Sequence, residues 1–257
     1  DRMLDMGFEP QLKRIVAYMP PAGRRQTLMF SATFSPAVQQ VARSYLDPQR
    51  LAEVTVGRVG SSVASISQRL LLAPGSRKQE KITLLEDCLV AGEKTIVFVQ
   101  RKRDAAWVRK ELGKRRHAAE DIHGDRSQSQ REKALDDFKR GACDVLVATD
   151  VAARGLDVND VAHVVQFDLP QDDFDTYVHR IGRTGRAGKT GRATAFFVPG
   201  YETNRGNQDL YKDLQRLFRE NNQPLPDWFN DMNRGGSGPG GSRGGGGGGG
   251  GKPGAYP

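Results

Sequence analysis

Three arginines and a histidine lie within residues 179–186, and Gly182 and Gly185 interrupt them. Like charges this close repel one another, so they either coat a solvated surface or meet an anion with several negative oxygens. The glycines favour the second interpretation, because they lower helix propensity in a segment that Val178 and Ile181 would otherwise keep helical. The cluster therefore predicts a site for a nucleotide phosphate or a nucleic-acid backbone.

Alternating strands and helices are predicted to position this cluster. Strands that are apolar on both faces, such as 96–99 and 145–147, alternate with amphipathic helices from residue 66 onward. This pattern is typical of an α/β fold, a doubly wound parallel sheet between two helical layers. The predicted strands are 66–73, 95–99, 118–123, 144–148, 162–168 and 192–198, and the predicted helices are 78–91, 104–115, 128–140, 174–180 and 209–218.

Polar residues follow several of the predicted strands. Gln100, His123, Thr149 and Asp168 come at or directly after strand ends. Ligands of doubly wound sheets bind at the carboxyl ends of the strands, so we expect these residues at the ligand edge. Ser127, with a glutamine three residues later, predicts a capping box at the start of helix 128–140.

The domain organisation is predicted from changes in composition. Residues 1–56 combine helical segments with two short strands, 27–30 and 51–56, which have too little surface to bury one another, so we expect the trailing part of a first domain. Residues 57–65 are predicted to be a flexible linker, 66–222 a second domain, and 223–257 an extension with a disordered glycine-rich tail. Because the chain begins at Asp1 without an initiator methionine, we expect a truncated piece of a longer protein.

The overall charge favours a polyanionic partner. Basic residues outnumber acidic ones by 39 to 31, and residues 223–257 carry only three basic and two acidic side chains, so the positive charge belongs to residues 1–222. Cys88 and Cys143 lie far apart without a CxxC motif, which predicts a reducing compartment, the cytoplasm or the nucleus. No apolar run of about 18 residues occurs, so we expect no membrane partner.

The tail contains two RGG triplets, which begin at Arg234 and Arg243. Such triplets are typical of proteins that bind single-stranded RNA weakly. A flexible tail without a binding role is an equal alternative, because only two triplets are present.

Several segments resemble, in order, the motifs of the DEAD-box ATP-dependent RNA helicase family, closest to its Vasa-like branch. The matching segments are Asp1 as the last residue of the D-E-A-D box, S-A-T at 31–33, the fourth motif at 96–101, Q-x-x-R at 128–131, the fifth motif at 147–157 and H-R-x-G-R-x-x-R at 179–186. Each short motif is weak alone, whereas the ordered set covers residues 1 to about 232. The resemblance implies that the second domain is RecA-like.

The resemblance also implies roles for individual residues. Arg183 and Arg186 would be arginine fingers that stabilise the transition state of ATP hydrolysis, and Asp1 would be a further catalytic residue. The residues implied in ATP binding and interdomain coupling are Asp157, Gly155, His179, Arg180, Ser31 and Thr33. The residues implied in sequence-independent contacts with RNA phosphates and 2′-hydroxyls are Thr149, Arg154, Gly155, Gln128, Arg131, Gly124 and Arg101. ATP with Mg²⁺ is the implied cofactor, with no metal ligands expected within this chain.

Two departures from the family pattern limit these expectations. Gln166 stands where the family has an asparagine, which leaves the contacts at that position open. The P-loop, the adenine-reading Q motif and the first three residues of the D-E-A-D box do not occur in the sequence, so we expect no ATP hydrolysis by this chain alone.

We expect the complete protein to separate short RNA duplexes or remodel RNA–protein complexes, with protein partners in ribonucleoprotein or translation complexes. A non-catalytic RNA clamp and a DNA translocase of the same superfamily are the alternatives.

Overall fold

The structure is a computed structural model that describes residues 7–31, 36–54, 65–73, 78–153, 158, 160–171, 174–186, 188–201 and 206–232. The chain divides into two compact units, Asp1–Pro224 and Leu225–Pro257. The predicted linker falls almost entirely outside the described residues, and the domain boundaries at 56, 65 and 222 stay predictions.

A parallel six-stranded sheet forms the centre of the first unit. Its strand order is β1-β6-β5-β2-β4-β3, and every neighbouring pair is parallel. The strands are β1 (Ile66–Leu72), β2 (Thr95–Phe98), β3 (Ala119–Ile122), β4 (Val145–Ala148), β5 (His163–Gln166) and β6 (Gly191–Phe197). The predicted α/β fold class is confirmed.

The helices of the first unit follow the predicted order. They are α1 (Glu9–Ala17), α2 (Pro36–Tyr45), α3 (Lys78–Cys88), α4 (Lys102–Lys114), α5 (Gln128–Arg140), the short α6 (Asp150–Ala153), α7 (Phe174–Ile181) and α8 (Tyr211–Glu220). The predicted capping box is present at α5, where the Ser127 and Gln130 side chains each accept a hydrogen bond from the other residue's backbone N–H. The second unit contains α9 (Asp227–Asp231).

Two apolar cores cover the two faces of the sheet. Val97 and Val147 pack with α3 and α4 residues such as Ile82 and Val108 on one face. Ile96 and Leu146 pack on the other face in a core that includes residues of α5 and α6. Because successive residues of a strand point to opposite faces, a strand between two helical layers must be apolar throughout, as these strands are.

Residues 7–54 have a different character from the sheet. None of the residues described there is buried, and Phe30, Tyr18 and Leu28 are among the most exposed large apolar side chains. The strand predicted at 27–30 is wrong, and so is the strand predicted at 51–56 over its described residues 51–54, since both segments are irregular. A strand requires a neighbouring strand to satisfy its backbone groups, and none pairs with these segments in the described part of the chain.

Candidate functional site

The polar residues that follow four neighbouring strands lie along one edge of the sheet. β5, β2, β4 and β3 are adjacent and parallel, so Asp168, Gln100, Thr149 and His123 come to the same edge. The Asp168 carboxylate accepts a hydrogen bond from the backbone N–H of Gln100 at 3.2 Å. The Gln100 side chain in turn donates to Gln171 at 2.9 Å. The sheet topology therefore assembles a polar edge from segments far apart in the sequence.

Arg180, on α7, uses its guanidinium entirely within this edge. Its Nε and Nη2 donate to the two carboxylate oxygens of Asp150, each at 2.7 Å. Its Nη1 donates to the carbonyl of Asp168 at 2.6 Å and to the side-chain oxygen of Gln166 at 3.2 Å. The guanidinium carbon also lies 5.3 Å from the centre of the Phe98 ring. A two-pronged contact with a carboxylate is the geometry that the arginine fork favours.

Arg180 is 2% exposed and donates to the ends of β4 and β5. Its implied bridge to Ser31, Thr33 and Asp1 stays a prediction, because Thr33 and Asp1 lie outside the described residues. Moving the guanidinium away would leave the Asp150 carboxylate without its partner, which is strongly unfavourable. Gln166 belongs to the same arrangement, because it is fully buried and accepts a hydrogen bond from Arg180. The residue that departs from the family pattern is thus a partner of the first arginine of the cluster.

Arg183 and Arg186 differ from Arg180 in having no carboxylate partner among the described residues. Arg186 is exposed, and its Nε donates to the carbonyl of Gly182 at 2.7 Å. Arg183 is half-buried, and its guanidinium makes no hydrogen bond or ion pair with any residue that the structure describes. Burial lowers the pKa of Arg183 below its usual value, and the positive charge of Arg186 lowers it further. Arg183 is therefore a partly desolvated cation without an anionic partner in the described part of the chain.

A charge cluster after β3, which the sequence reasoning missed, fixes the turn that begins at His123. The buried carboxylate of Asp121 pairs with Arg126, with Arg109 at 3.3 Å and with His123 Nε2 at 2.9 Å. His123 Nδ1 accepts a hydrogen bond from the backbone N–H of Asp125 at 3.3 Å. The cluster holds the turn through both of its ends. An acidic residue inside a predicted strand was the one signal in the sequence.

The implied RNA contacts of this region lie at or near the surface. Gly124, Arg101 and Gln128 are exposed, and Arg131 is half-buried. Arg131 donates to the Gln128 side chain at 3.4 Å, so the two residues form one polar patch at the start of α5. Thr149 is only 7% exposed, which limits any contact to the small part of its side chain that reaches the surface.

Comparisons with known families agree with the order of these motifs. Residues 80–188 match the model of the helicase conserved C-terminal domain, and residues 1–41 match the model of the DEAD/DEAH box helicase. The C-terminal domain of the DEAD-box protein Dbp5 is 32% identical, with a TM-score of 0.51, and the matched region covers 62% of this chain and 86% of that domain. The chain belongs to the DEAD-box RNA helicase family.

Longer DEAD-box structures match nearly the whole chain. Dbp5 of S. cerevisiae bound to RNA and ADP BeF3 is 29% identical with a TM-score of 0.68, and the match covers 89% of this chain and 58% of that one. Prp28 of Chaetomium thermophilum bound to ADP is 35% identical with a TM-score of 0.54, and the match covers 89% and 52%. The chain thus spans little more than half the length of these DEAD-box proteins.

Lys81 is a second residue of the site that the sequence reasoning missed. Its Nζ donates to the Asp168 carboxylate at 2.8 Å and to the carbonyl of Phe167 at 2.9 Å, although α3 lies far from β5 in the sequence. The only signal was its position one turn before Leu85 on the inward face of a predicted helix. Lys81 thus fixes Asp168, whose carbonyl accepts a hydrogen bond from Arg180.

Other implied site residues of the DEAD-box motifs are placed less fully. Ser31 is exposed and His179 is half-buried. Asp1, Thr33, Arg154, Gly155 and Asp157 lie outside the described residues.

DEAD-box helicases use ATP with Mg²⁺, and the residues of the arginine segment fit the phosphate part of such a ligand. Arg183 supplies a partly desolvated guanidinium with no acceptor among the residues that the structure describes, and Arg186 supplies a second guanidinium at the surface. Within the described ranges, no group of three or more His, Cys, Asp or Glu side chains is arranged to hold a metal ion. No helix in the described part of the chain is long and apolar enough to cross a membrane.

Proposed function

We propose that this chain is the nucleotide-sensing and RNA-binding part of an ATP-dependent RNA helicase that couples ATP hydrolysis to local RNA duplex unwinding or RNP remodelling. The observation that carries the proposal is Arg183, a half-buried guanidinium with a lowered pKa and no partner among the described residues. A desolvated cation of this kind is stabilised when a negative group binds against it. Its place in the sixth motif, and relatives bound to ADP BeF3 and RNA, support ATP as the source of that charge.

In this proposal Arg183 and Arg186 bind the phosphate oxygens on which charge develops during hydrolysis. An arginine that reaches the phosphates from a second domain accelerates hydrolysis by about a thousandfold to a hundred-thousandfold in related phosphate-transfer enzymes. Asp157 and Gly155 contact the nucleotide, and His179 couples the two domains through Ser31 and Thr33, with Asp1 at the catalytic centre. Arg180, the other residue implied in coupling, also holds α7 in place through its contacts with Asp150.

RNA binds through its backbone along the surface that Gly124, Arg101, Gln128 and Arg131 present, together with Thr149, Arg154 and Gly155. Glycine lets the RNA backbone approach closely, and arginine supplies the part of the affinity that depends on salt. Contacts with phosphate and 2′-hydroxyl groups do not read the base sequence. The RGG triplets of the tail add weak single-strand binding.

Several finer points belong to the same proposal. The parent protein is of the Vasa-like branch, acts in the cytoplasm or the nucleus, and has partners in RNP or translation complexes. The present chain does not hydrolyse ATP alone, because its sequence contains no P-loop lysine motif to hold the phosphates.

The test replaces Arg183 by alanine in the full-length protein. We expect kcat of RNA-stimulated ATP hydrolysis to fall by about a thousandfold or more, with ATP binding changed only slightly, because the guanidinium acts mainly in the transition state. Arg216→Ala is the matched control, since Arg216 is an exposed arginine of α8 that pairs with Asp213. Turnover within tenfold of the unmodified protein would refute the finger assignment, and an unmodified protein that binds RNA and ATP without any stimulated turnover would favour an RNA clamp.

A further inference from the structure

Four buried polar residues form a hydrogen-bonded chain beneath the arginine helix α7. Gln68, Gln166, Tyr177 and Arg180 are each between 0% and 3% exposed. They come from β1, β5 and α7, which are separate elements of the sheet domain. Buried polar groups destabilise a fold unless they are hydrogen-bonded, so the bonds that connect these residues decide how the elements can sit.

The links of this chain have defined directions. The Arg180 guanidinium donates to Gln166 Oε1 at 3.2 Å, and Gln166 Nε2 donates to the carbonyl of Tyr177 at 3.4 Å. A guanidinium can only donate and a carbonyl can only accept, so both contacts fix the same orientation of the Gln166 amide. The Tyr177 hydroxyl donates to Gln68 Oε1 at 2.9 Å. Burial raises the pKa of Tyr177, so the hydroxyl keeps its proton and remains a donor.

The chain continues to the far side of the domain through β1. β1 is an edge strand, and the backbone N–H of Gln68 donates to the side-chain oxygen of Gln223 at 3.0 Å. The backbone of Gln223 donates to the carbonyl of Phe218, so the residue is fixed to the end of α8 at 2.8 Å. On the side away from β6, the edge strand β1 thus binds Gln223, which follows α8.

The hydrogen bonds of Tyr177 and Arg180 determine the rotation of α7 about its axis. Tyr177 and Arg180 are three residues apart, so they lie on one face of the helix, and both are held by the buried chain. Asp150 binds the outer side of the Arg180 guanidinium. Arg183 follows Arg180 by three further residues, just past the helix end. Rotation of α7 about its own axis would therefore break the Tyr177 hydroxyl bond and displace Arg183 together.

We propose that Gln68, Gln166 and Tyr177 are positioning residues for Arg183. Gln223, in the segment after α8, supports them by binding the backbone of the edge strand β1. The inference rests on the proposed function, because Arg183 needs an exact place only if it meets the phosphates of ATP. None of the three residues touches the nucleotide in this scheme. They act by restricting where the arginine can point.

The test compares two variants that each remove one buried hydroxyl. Tyr177→Phe removes the bond to Gln68. The matched control, Thr194→Val, removes the 2.9 Å bond between the buried residues His163 and Thr194, which lies at the start of β5 and involves no residue of α7. In the full-length protein we expect Tyr177→Phe to lower kcat of RNA-stimulated ATP hydrolysis by about tenfold, because misplacing a reacting group by about 1 Å can cost about a hundredfold. KM for ATP and affinity for RNA should change less than twofold, and Thr194→Val should leave kcat unchanged at a comparable loss of Tm.

A second measurement on the same variants does not depend on activity. We expect the backbone amide resonances of residues 180–183 to shift in Tyr177→Phe and to keep their positions in Thr194→Val. Equal shifts in the two variants, or a kcat of Tyr177→Phe no lower than that of the control, would overturn the proposal. If Arg183→Ala itself left turnover intact, the finger assignment would fail, and the amide shifts alone would still decide whether Tyr177 positions the helix end.

Discussion

The buried ion pair between Asp150 and Arg180 should contribute far more to the free energy of unfolding than the exposed ion pair between Asp213 and Arg216. The Arg180 side chain is 2% exposed and that of Asp150 27%, and two bonds of 2.7 Å join them. Asn at position 150 offers one oxygen instead of two and removes the negative charge. Hydrogen bonds to charged groups contribute about 1.5–3 kcal/mol each, and breaking a buried pair costs about 3–5 kcal/mol. Because the Asp168 carbonyl and Gln166 still accept bonds from Arg180, we expect a loss of about 2–3 kcal/mol.

Urea unfolding followed by circular dichroism measures this loss. With a slope of about 2 kcal/mol per molar urea, the midpoint of Asp150→Asn should fall by about 1–1.5 M. Asp213→Asn is the control, since Asp213 pairs with Arg216 at a similar 2.8 Å but both side chains are exposed, at 37% and 63%. That variant should lose less than about 0.5 kcal/mol.

A further substitution separates the charge from the packing. Arg180→Met in the Asp150→Asn background should recover about half of the loss or more, because an apolar side chain of similar volume against Phe98 has no charge to neutralise. The reasoning would be refuted if Asp150→Asn cost no more than Asp213→Asn, or if the added methionine destabilised the protein further.

Two other predictions concern stability. Gly191→Ala should lower the free energy of unfolding by about 1–3 kcal/mol in thermal melts, because a Cβ there would lie 2.6 Å from the backbone nitrogen of Gly185 and 2.7 Å from Thr184 Cγ2. Gly113→Ala on α4 is the control. A Cβ there would meet no neighbouring atom within 4 Å, so this variant should be as stable as the unmodified protein or more stable. Burial lowers the pKa of His163 to about 4, so between pH 6.5 and 4 the unfolded state binds more protons and stability falls as the pH falls. Between pH 7 and pH 5 the free energy of unfolding, measured in urea, should fall by about 2 kcal/mol because of this histidine. His163→Gln should remove that part of the pH dependence. A pH dependence that persisted in this variant would contradict the burial argument.

The sequence predicted the centre of the sheet well because β2 and β4 are apolar on both faces, a pattern that is visible in neighbouring residues. The observed bounds of α5 match the prediction because Ser127 and its capping box start the helix through contacts three residues apart. The strands predicted at 27–30 and at 51–56, the latter over its described residues 51–54, were wrong for the opposite reason. Apolar residues there indicate that a surface is available for burial, but a strand also needs a particular neighbour, which a local pattern cannot specify.

The sequence predicted that polar residues follow the strands, but it did not predict which partners each arginine has. Arg180 and Arg183 are the same residue type in one motif, three positions apart, and nothing in that spacing says which of them receives a carboxylate. Asp168 was correctly placed after a strand, but the strand order β5-β2-β4 decides that its carbonyl and the Asp150 carboxylate meet the same guanidinium. Lys81 shows the same limit, since its partner lies 87 residues away in the sequence.

In the proposed function, Arg183 and Arg186 bind an anion because, unlike Arg180, they have no carboxylate partner among the described residues. Three free guanidiniums within seven residues would repel one another. Asp150 neutralises Arg180, and that arginine can then be buried and hold the helix. Arg183 and Arg186 remain, the first partly desolvated and with its pKa lowered by the second. An anion bound against them relieves both the desolvation and the repulsion at once, so a ligand with several negative oxygens in one place, such as a polyphosphate, gains more than two separate carboxylates would.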